Sequence, residues 1–206
     1  MIKRAAYPFA ITDYRLIPGT EIYRKTLLNA EYLLSINVDS LLYAFRINAG
    51  LDTKGALPMT GWEAPHLHFR GQFLGHYLTA CARMSLTLRV PEPDMAAQFQ
   101  NRAQTIVKEL FKCQEALAAK EAYPGYLSAL ESSMLDDLEQ LHFTGVYTVI
   151  YYNLHKIMSG LLEVYTLLGD RLALQILNGM ADYIGWRMSK LSDERVEQML
   201  ETRWYR

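Results

Sequence analysis

The chain has 206 residues, 50% hydrophobic and 21% charged, which is enough for one globular domain with a core and excludes a disordered chain. Lys plus Arg (21) balance Asp plus Glu (22), so no global field exists to hold a nucleic-acid backbone or an anionic membrane. The cysteines, Cys81 and Cys113, lie far apart without CxxC spacing, which reads as buried free thiols rather than a disulfide framework or metal site.

Residues 7–17 alternate loosely and stop at Pro18-Gly19, so residues 1–19 are expected to form a short extended arm. Lys3 and Arg4 have no apolar run behind them and no later segment approaches a membrane span, so a cytoplasmic location is the expectation. Thr20 then precedes a helical pattern over 21–34, and a second helix is predicted over 39–48. Residues 49–65 carry Gly50, Gly55, Gly61, Pro58 and Pro65, a connection long enough to hold functional groups. Helices are predicted again at 67–88, 94–120, 147–168 and 171–190, and a short one at 193–200 capped by Ser192. Between Tyr123 and Gly145 the pattern is irregular: a Pro124-Gly125 turn, a stretch at 126–130 that suits extended chain, and a helical turn or two at 134–141. About seven helices joined by alternating short and long connections suit helical hairpins set side by side, as in a toroid or solenoid.

Two segments concentrate chemistry. Gly61-Trp62-Glu63 runs into Arg70-Gly71 and Gly75-His76-Tyr77-Leu78, where a tryptophan can stack on a sugar ring and polar groups can bind its hydroxyls. Gly71 and Gly75, one turn apart, permit close approach of another backbone beside His76, although a lone helical histidine is ordinarily a satisfied core residue. Phe73, Leu74, Tyr77, Leu78, Cys81 and Met84 form the apolar face of that helix. In the second segment, Tyr151, His155 and Met158 share a face next to a packing stripe of Leu154, Ile157, Leu161 and Tyr165, which suits either a cavity wall or a mixed surface stripe. His66 and His68 diverge at a helix entry and lack a third ligand, so they read as cap or surface residues. Glu63, Glu131, Asp136 and Asp137 are each conceivable acids or bases, but sequence spacing does not pair them, and no Ser-His-Asp, phosphate-loop or dinucleotide signature occurs.

Taken in order, Leu41 to Leu51, Gly61-Trp62-Glu63, Arg70-Gly71, Gly75 to Leu78, Lys112-Cys113-Gln114, Gly125-Tyr126-Leu127, Tyr151-Tyr152, Leu154-His155-Lys156 and Gly160-Leu161-Leu162 resemble glycoside hydrolase family 127, the β-L-arabinofuranosidases. The resemblance covers nearly the whole chain. It implies an all-α fold, an incomplete (α/α)6 toroid of helical hairpins with inner helices walling a sugar pocket. It also implies that His76 and His155 bind substrate, that Trp62 and Glu63 lie near the pocket mouth, and that the parent reaction is retaining hydrolysis of terminal β-L-arabinofuranosides; Tyr151, on the helical face of His155, is a further substrate-binding candidate. Gln72, where relatives often carry histidine, and His66-Leu67-His68 depart from the pattern.

The larger departure concerns the reacting groups. The family is expected to use a zinc-bound cysteine nucleophile and a glutamate acid/base, and Cys81 and Cys113 match helix positions rather than those ligands. No catalytic residue, metal ligand or cofactor is therefore assigned within this chain. After Gln198-Met199-Leu200 the family pattern gives way to Glu201 to Arg206, so the expectation is the N-terminal portion of one catalytic domain, shortened after about residue 200 and inactive alone. Half a toroid leaves helix faces open, so self-association is also an expectation. The competing readings are a non-catalytic helical module that binds sugar or a partner chain, and another toroidal sugar enzyme, an epimerase or unsaturated uronide hydrolase, with its acid/base pair among Glu63, His76 and His155.

Overall fold

The computed structural model describes residues 9–142 and 149–200, and within them the chain forms helices and no strand. The arm, described from Phe9, is exposed but not uniformly extended: Asp13 accepts from the Ala10 N–H at 2.8 Å and closes a turn. Helix α1 (Glu21–Ser35) begins where Thr20 accepts from the Tyr23 N–H, and α2 (Val38–Ala49) where Asn37 accepts from the Ser40 N–H. Gly50, in the left-handed region at φ 73°, ends α2. After a long loop and a single 3-10 turn (Gly61–Glu63) come α3 (Gln72–Thr87) and the long α4 (Pro93–Ala118), with proline in its first turn. A short α5 (Ser133–Glu139), then α6 (Ile150–Leu168), α7 (Arg171–Met188) and α8 (Asp193–Leu200) complete the described chain.

Two predicted boundaries shift. Helix α3 starts at Gln72 rather than 67, because Gly71 takes a φ of 96° and breaks the helix there, leaving His66 and His68 in turns. Residues 126–130 are irregular buried chain rather than extended strand: Asn48 donates to the Ser128 and Leu130 carbonyls at 3.0 and 2.7 Å, standing in for ladder partners. The expected start of the next helix at 147 lies outside the described residues, and α6 is seen from Ile150.

The architecture is two helical hairpins laid together. Helix α4 packs back on α3, α7 packs back on α6, and α3 lies against α6 over its length. The first two residues of contact, Gly75 on Lys156–Ile157, and the later Arg83–Glu163 ion pair advance in the same direction along both helices, so α3 and α6 run parallel. Parallel inner helices, each backed by an antiparallel outer one, are the packing of a helical toroid. Helices α1 and α2 follow one another along α4. Their junction is held by Arg102, which donates to the Leu34 and Ile36 carbonyls at 2.5 and 2.7 Å and to the Tyr77 hydroxyl at 2.9 Å. Those carbonyls are the ones a helix end leaves unpaired, so the guanidinium supplies the missing donors.

The core is continuous across the hairpins. Phe45 of α2, Leu74, Leu78 and Cys81 of α3, Phe99, Ile106 and Leu110 of α4, and Ile157, Leu161 and Ile176 of α6 and α7 are all fully or nearly fully buried. Each such aliphatic or aromatic side chain contributes on the order of 1.5–3 kcal/mol relative to exposure. No helix among the described residues is long and apolar enough to cross a membrane.

Candidate functional site

The α3–α6 contact is made by backbone. A Cβ on Gly75 would overlap the Lys156 carbonyl, and one on Gly160 would overlap the Gly75 carbonyl, so glycine at both positions lets the helices touch. This has a direct consequence for the candidate histidines. His76 follows Gly75 and His155 precedes Lys156, so the two flank the turn of contact between these parallel helices. Both imidazoles are exposed. The surface they stand on continues to Arg83 and Glu163, joined by two hydrogen bonds of 3.0 Å, and to Lys156, whose Nζ lies 4.8 Å from the centre of the Tyr152 ring. It is an open polar wall on the side of α3 and α6 away from the helices that back them.

The N-terminal ends of α3 and α6 are tied together above this wall. Glu63 accepts from the Gly71 and Phe73 N–H groups at 2.6 and 3.0 Å and so caps α3 from eight and ten residues upstream. Burial pushes its carboxyl up from the ordinary range, partly opposed by those two bonds. Arg70, only 8% exposed, donates to the Ala129 and Leu67 carbonyls and to both oxygens of Glu131, at 2.9 to 3.1 Å. Asn153, in the first turn of α6, donates to the His68 and Arg70 carbonyls at 3.2 and 3.1 Å. The loop that carries Trp62 is therefore pinned to α6 and to residues 129–131. Trp62 itself is 72% exposed, its ring 5.6 Å from that of Phe69.

Tyr151 stands apart from the two histidines. It is half-buried, its hydroxyl has no hydrogen-bond partner among the described residues, and burial next to the Glu139 carboxylate pushes that hydroxyl's pKa up. Met158 packs against the core as a neighbour of the Leu154, Ile157 and Leu161 stripe, whereas Tyr165, expected in that stripe, lies at its edge and is 36% exposed. Of the five expected wall residues, the fold thus leaves His76 and His155 exposed beside the α3–α6 contact, places Trp62 exposed on the pinned loop, commits Glu63 to capping α3, and half-buries Tyr151.

Residue spacing did not reveal a second polar cluster nearby. Arg187, 7% exposed, donates to both oxygens of Glu139 at 2.6 and 2.8 Å, to Asp136, and to the Tyr183 hydroxyl at 3.0 Å, while Tyr183 donates to Glu121 at 2.9 Å. This network docks α5 on α7 and engages one of the carboxylates considered as acid or base, Asp136. Glu131 is engaged by Arg70 in the same way.

The thiols do not suit the nucleophile or the zinc that the family resemblance implies. Cys81 lies on α3 beside Tyr77 and Cys113 on α4 near Arg46, both fully buried, and burial pushes each thiol up to about 12. A metal ligand or nucleophile must be an accessible thiolate, and among the described residues no group of three or more His, Cys, Asp and Glu is placed to hold a metal.

The family described as Beta-L-arabinofuranosidase, GH127 catalytic domain, matches residues 20–205. The chain belongs to this family. A comparison with curated proteins finds no match. As a GH127 chain it is a glycoside hydrolase chain, and the substrate class that membership implies is carbohydrate. The helical toroid packing of α3, α4, α6 and α7 agrees with the helical fold expected of that family.

Proposed function

We propose that this chain supplies the substrate-holding wall of a retaining hydrolase of terminal β-L-arabinofuranosides and does not itself cleave the glycosidic bond. The observation that carries the reading is the glycine-mediated contact of α3 with α6, which leaves His76 and His155 exposed on either side of that contact. A neutral imidazole offers one donor and one acceptor, so two of them side by side can engage neighbouring hydroxyls of one small sugar ring. Trp62, held on a pinned loop and largely exposed, offers an apolar ring to the sugar's C–H face. Glu63 and Tyr151 act in this scheme as positioning residues, the first by fixing the start of α3 and the second by filling the first turn of α6.

The same residues support a reading without catalysis. Both thiols are buried and protonated, and Glu63, Glu131, Asp136 and Glu139 already serve backbone N–H groups or guanidinium partners. Purified chain is expected to bind methyl β-L-arabinofuranoside at least about tenfold more tightly than its α-anomer, a difference of about 1.4 kcal/mol. It is expected to leave 4-nitrophenyl β-L-arabinofuranoside unhydrolysed. Equal binding of the two anomers contradicts the wall, and measurable release of nitrophenol contradicts the assignment of the reacting groups elsewhere.

A further inference from the structure

An open groove of about 750 Å³ runs between the C-terminal half of α4, the Tyr123–Gly125 turn and α7, on helices that back α3 and α6 rather than on the wall carrying His76 and His155. Its floor is glycine. Gly125, at φ 108°, meets the Gly179 carbonyl so closely that a Cβ would overlap it, and a Cβ on Gly179 would sit 3.1 Å from the Gln114 amide nitrogen. Gln114 is only 7% exposed, and its Nε2 donates to the Gly125 and Ile176 carbonyls at 2.8 and 3.0 Å. Both amide hydrogens are thereby used and the amide's orientation is fixed. Its Oε1 accepts from no donor among the described residues and belongs to a side chain that lines the groove.

The lining also says which ligand fits. Tyr123, its ring stacked on Trp186 at 5.1 Å and 17°, forms a rigid aromatic edge, and Glu115, Asn178 and Asp182 place carboxylate and amide groups along the exposed rim. Arg171 is the one cation among the lining residues, against the two carboxylates of Glu115 and Asp182, which disfavours a phosphate or other polyanion. The lining mixes Tyr123 and Tyr165 with Glu115, Gln175, Asn178 and Asp182, a more polar set than the hydrophobic groove an amphipathic helix takes. Acceptors that receive hydroxyl protons, beside an aromatic surface that receives C–H groups, suit a neutral saccharide, and the volume lies within the usual ligand range of roughly 300–1,000 Å³.

We propose that the α4–α7 groove is a second saccharide-holding site, in which Gln114 Oε1, Glu115, Asn178 and Asp182 receive the hydroxyls of a neutral oligosaccharide packed against Tyr123. The site holds a glycan on the outer helices and stands on the groove's own chemistry, independent of the role of His76 and His155.

The test is a titration of uniformly nitrogen-15-labelled chain with cellotriose and with arabinotriose as neutral probes, and with trigalacturonate as an anionic one, followed by amide shifts. The expected result is saturable shifts of the Gly125, Asn178 and Gly179 amides and of the Gln114 side-chain amide with at least one neutral trisaccharide. Replacing two exposed partners together, Asn178→Ala with Asp182→Ala, is expected to weaken that binding about tenfold with an unchanged melting temperature, and Glu115→Ala on the facing helix to weaken it independently. His76→Ala is expected to leave it unchanged. No shifts at these amides, shifts that persist in both variants, or tighter binding of trigalacturonate would overturn the proposal.

Discussion

Gly75→Ala tests the contact on which the site depends. Alanine is the better helix former by about 1 kcal/mol, so without a steric consequence the substitution stabilises the chain. Here the new Cβ would overlap the Lys156 carbonyl and approach the Ile157 nitrogen, both main-chain atoms of a packed helix. No rotamer change relieves that overlap, so α3 and α6 must separate, and overpacking of this kind costs typically about 1–3 kcal/mol, more where the neighbour is rigid. Taking about 3–4 kcal/mol against the propensity gain leaves a net loss of roughly 2–3 kcal/mol. In a domain of this size that lowers the melting temperature by roughly 4–10 °C. Gly185→Ala is the internal control, since Gly185 is also helical but nothing lies within 4 Å of its Cβ, and it is expected to hold or raise the melting temperature. Thermal unfolding followed by far-ultraviolet circular dichroism reads both. If Gly75→Ala behaves like Gly185→Ala, the direct backbone contact is refuted, and with it the close placement of His76 and His155 on neighbouring helices.

Glu63→Ala removes acceptors from the Gly71 and Phe73 N–H groups and is expected to cost about 1–2 kcal/mol in urea denaturation, with Glu63→Gln recovering part of the loss; a residue serving substrate alone leaves the urea midpoint unmoved. Cys81 and Cys113, buried with thiols near 12, are expected to react with a maleimide only in unfolded protein, and rapid labelling of either in the native chain would contradict their burial. Burial pushes Glu109 up, but bonds from Lys112, Lys54 and Arg46 win and hold its carboxyl down at about 2 against 4.5 when unpaired. A depressed carboxyl contributes stability that is present above the unfolded pKa and lost as pH falls from about 4.5 towards 2. Glu109→Gln is expected to flatten the fall in urea midpoint across that window, and an unchanged slope would show that the cluster carries no such weight.

Much of the fold was legible because helix signals are local. Thr20, Asp170 and Ser192 cap α1, α7 and α8 through hydrogen bonds to residues two or three positions on, and the apolar spacing of α3 and α6 returns as buried Leu74, Leu78, Leu154 and Ile157. Predictions failed where the deciding partner is distant in the chain. The start of α3 depends on a left-handed Gly71 and on the Glu63 carboxylate, a long-range cap that looks like neither a Ser/Thr cap nor a capping box. Small residues in the α3 segment pointed to close packing, but they divide the work. Gly75 meets α6, and Gly71 turns the chain beside the Ala129 side chain. The ion cluster of Arg187 with Asp136 and Glu139 spans 51 and 48 residues, and that of Arg46 with Glu109 spans 63, distances over which periodicity carries no information. At the site, the residue types suited to sugar were visible, while the division between exposed histidines, capping Glu63 and half-buried Tyr151 required the packing.

In the proposed function, the face built on the α3–α6 contact holds an arabinofuranosyl ring. The most direct measurement is an amide and indole chemical-shift map of the labelled chain titrated with methyl β-L-arabinofuranoside. The predicted result is saturable shifts clustered at His76, His155, Lys156 and the Trp62 indole, abolished in a His76→Ala, His155→Ala double variant whose melting temperature matches the parent. Saturable binding that leaves those residues unshifted, or that survives the double variant, would contradict it.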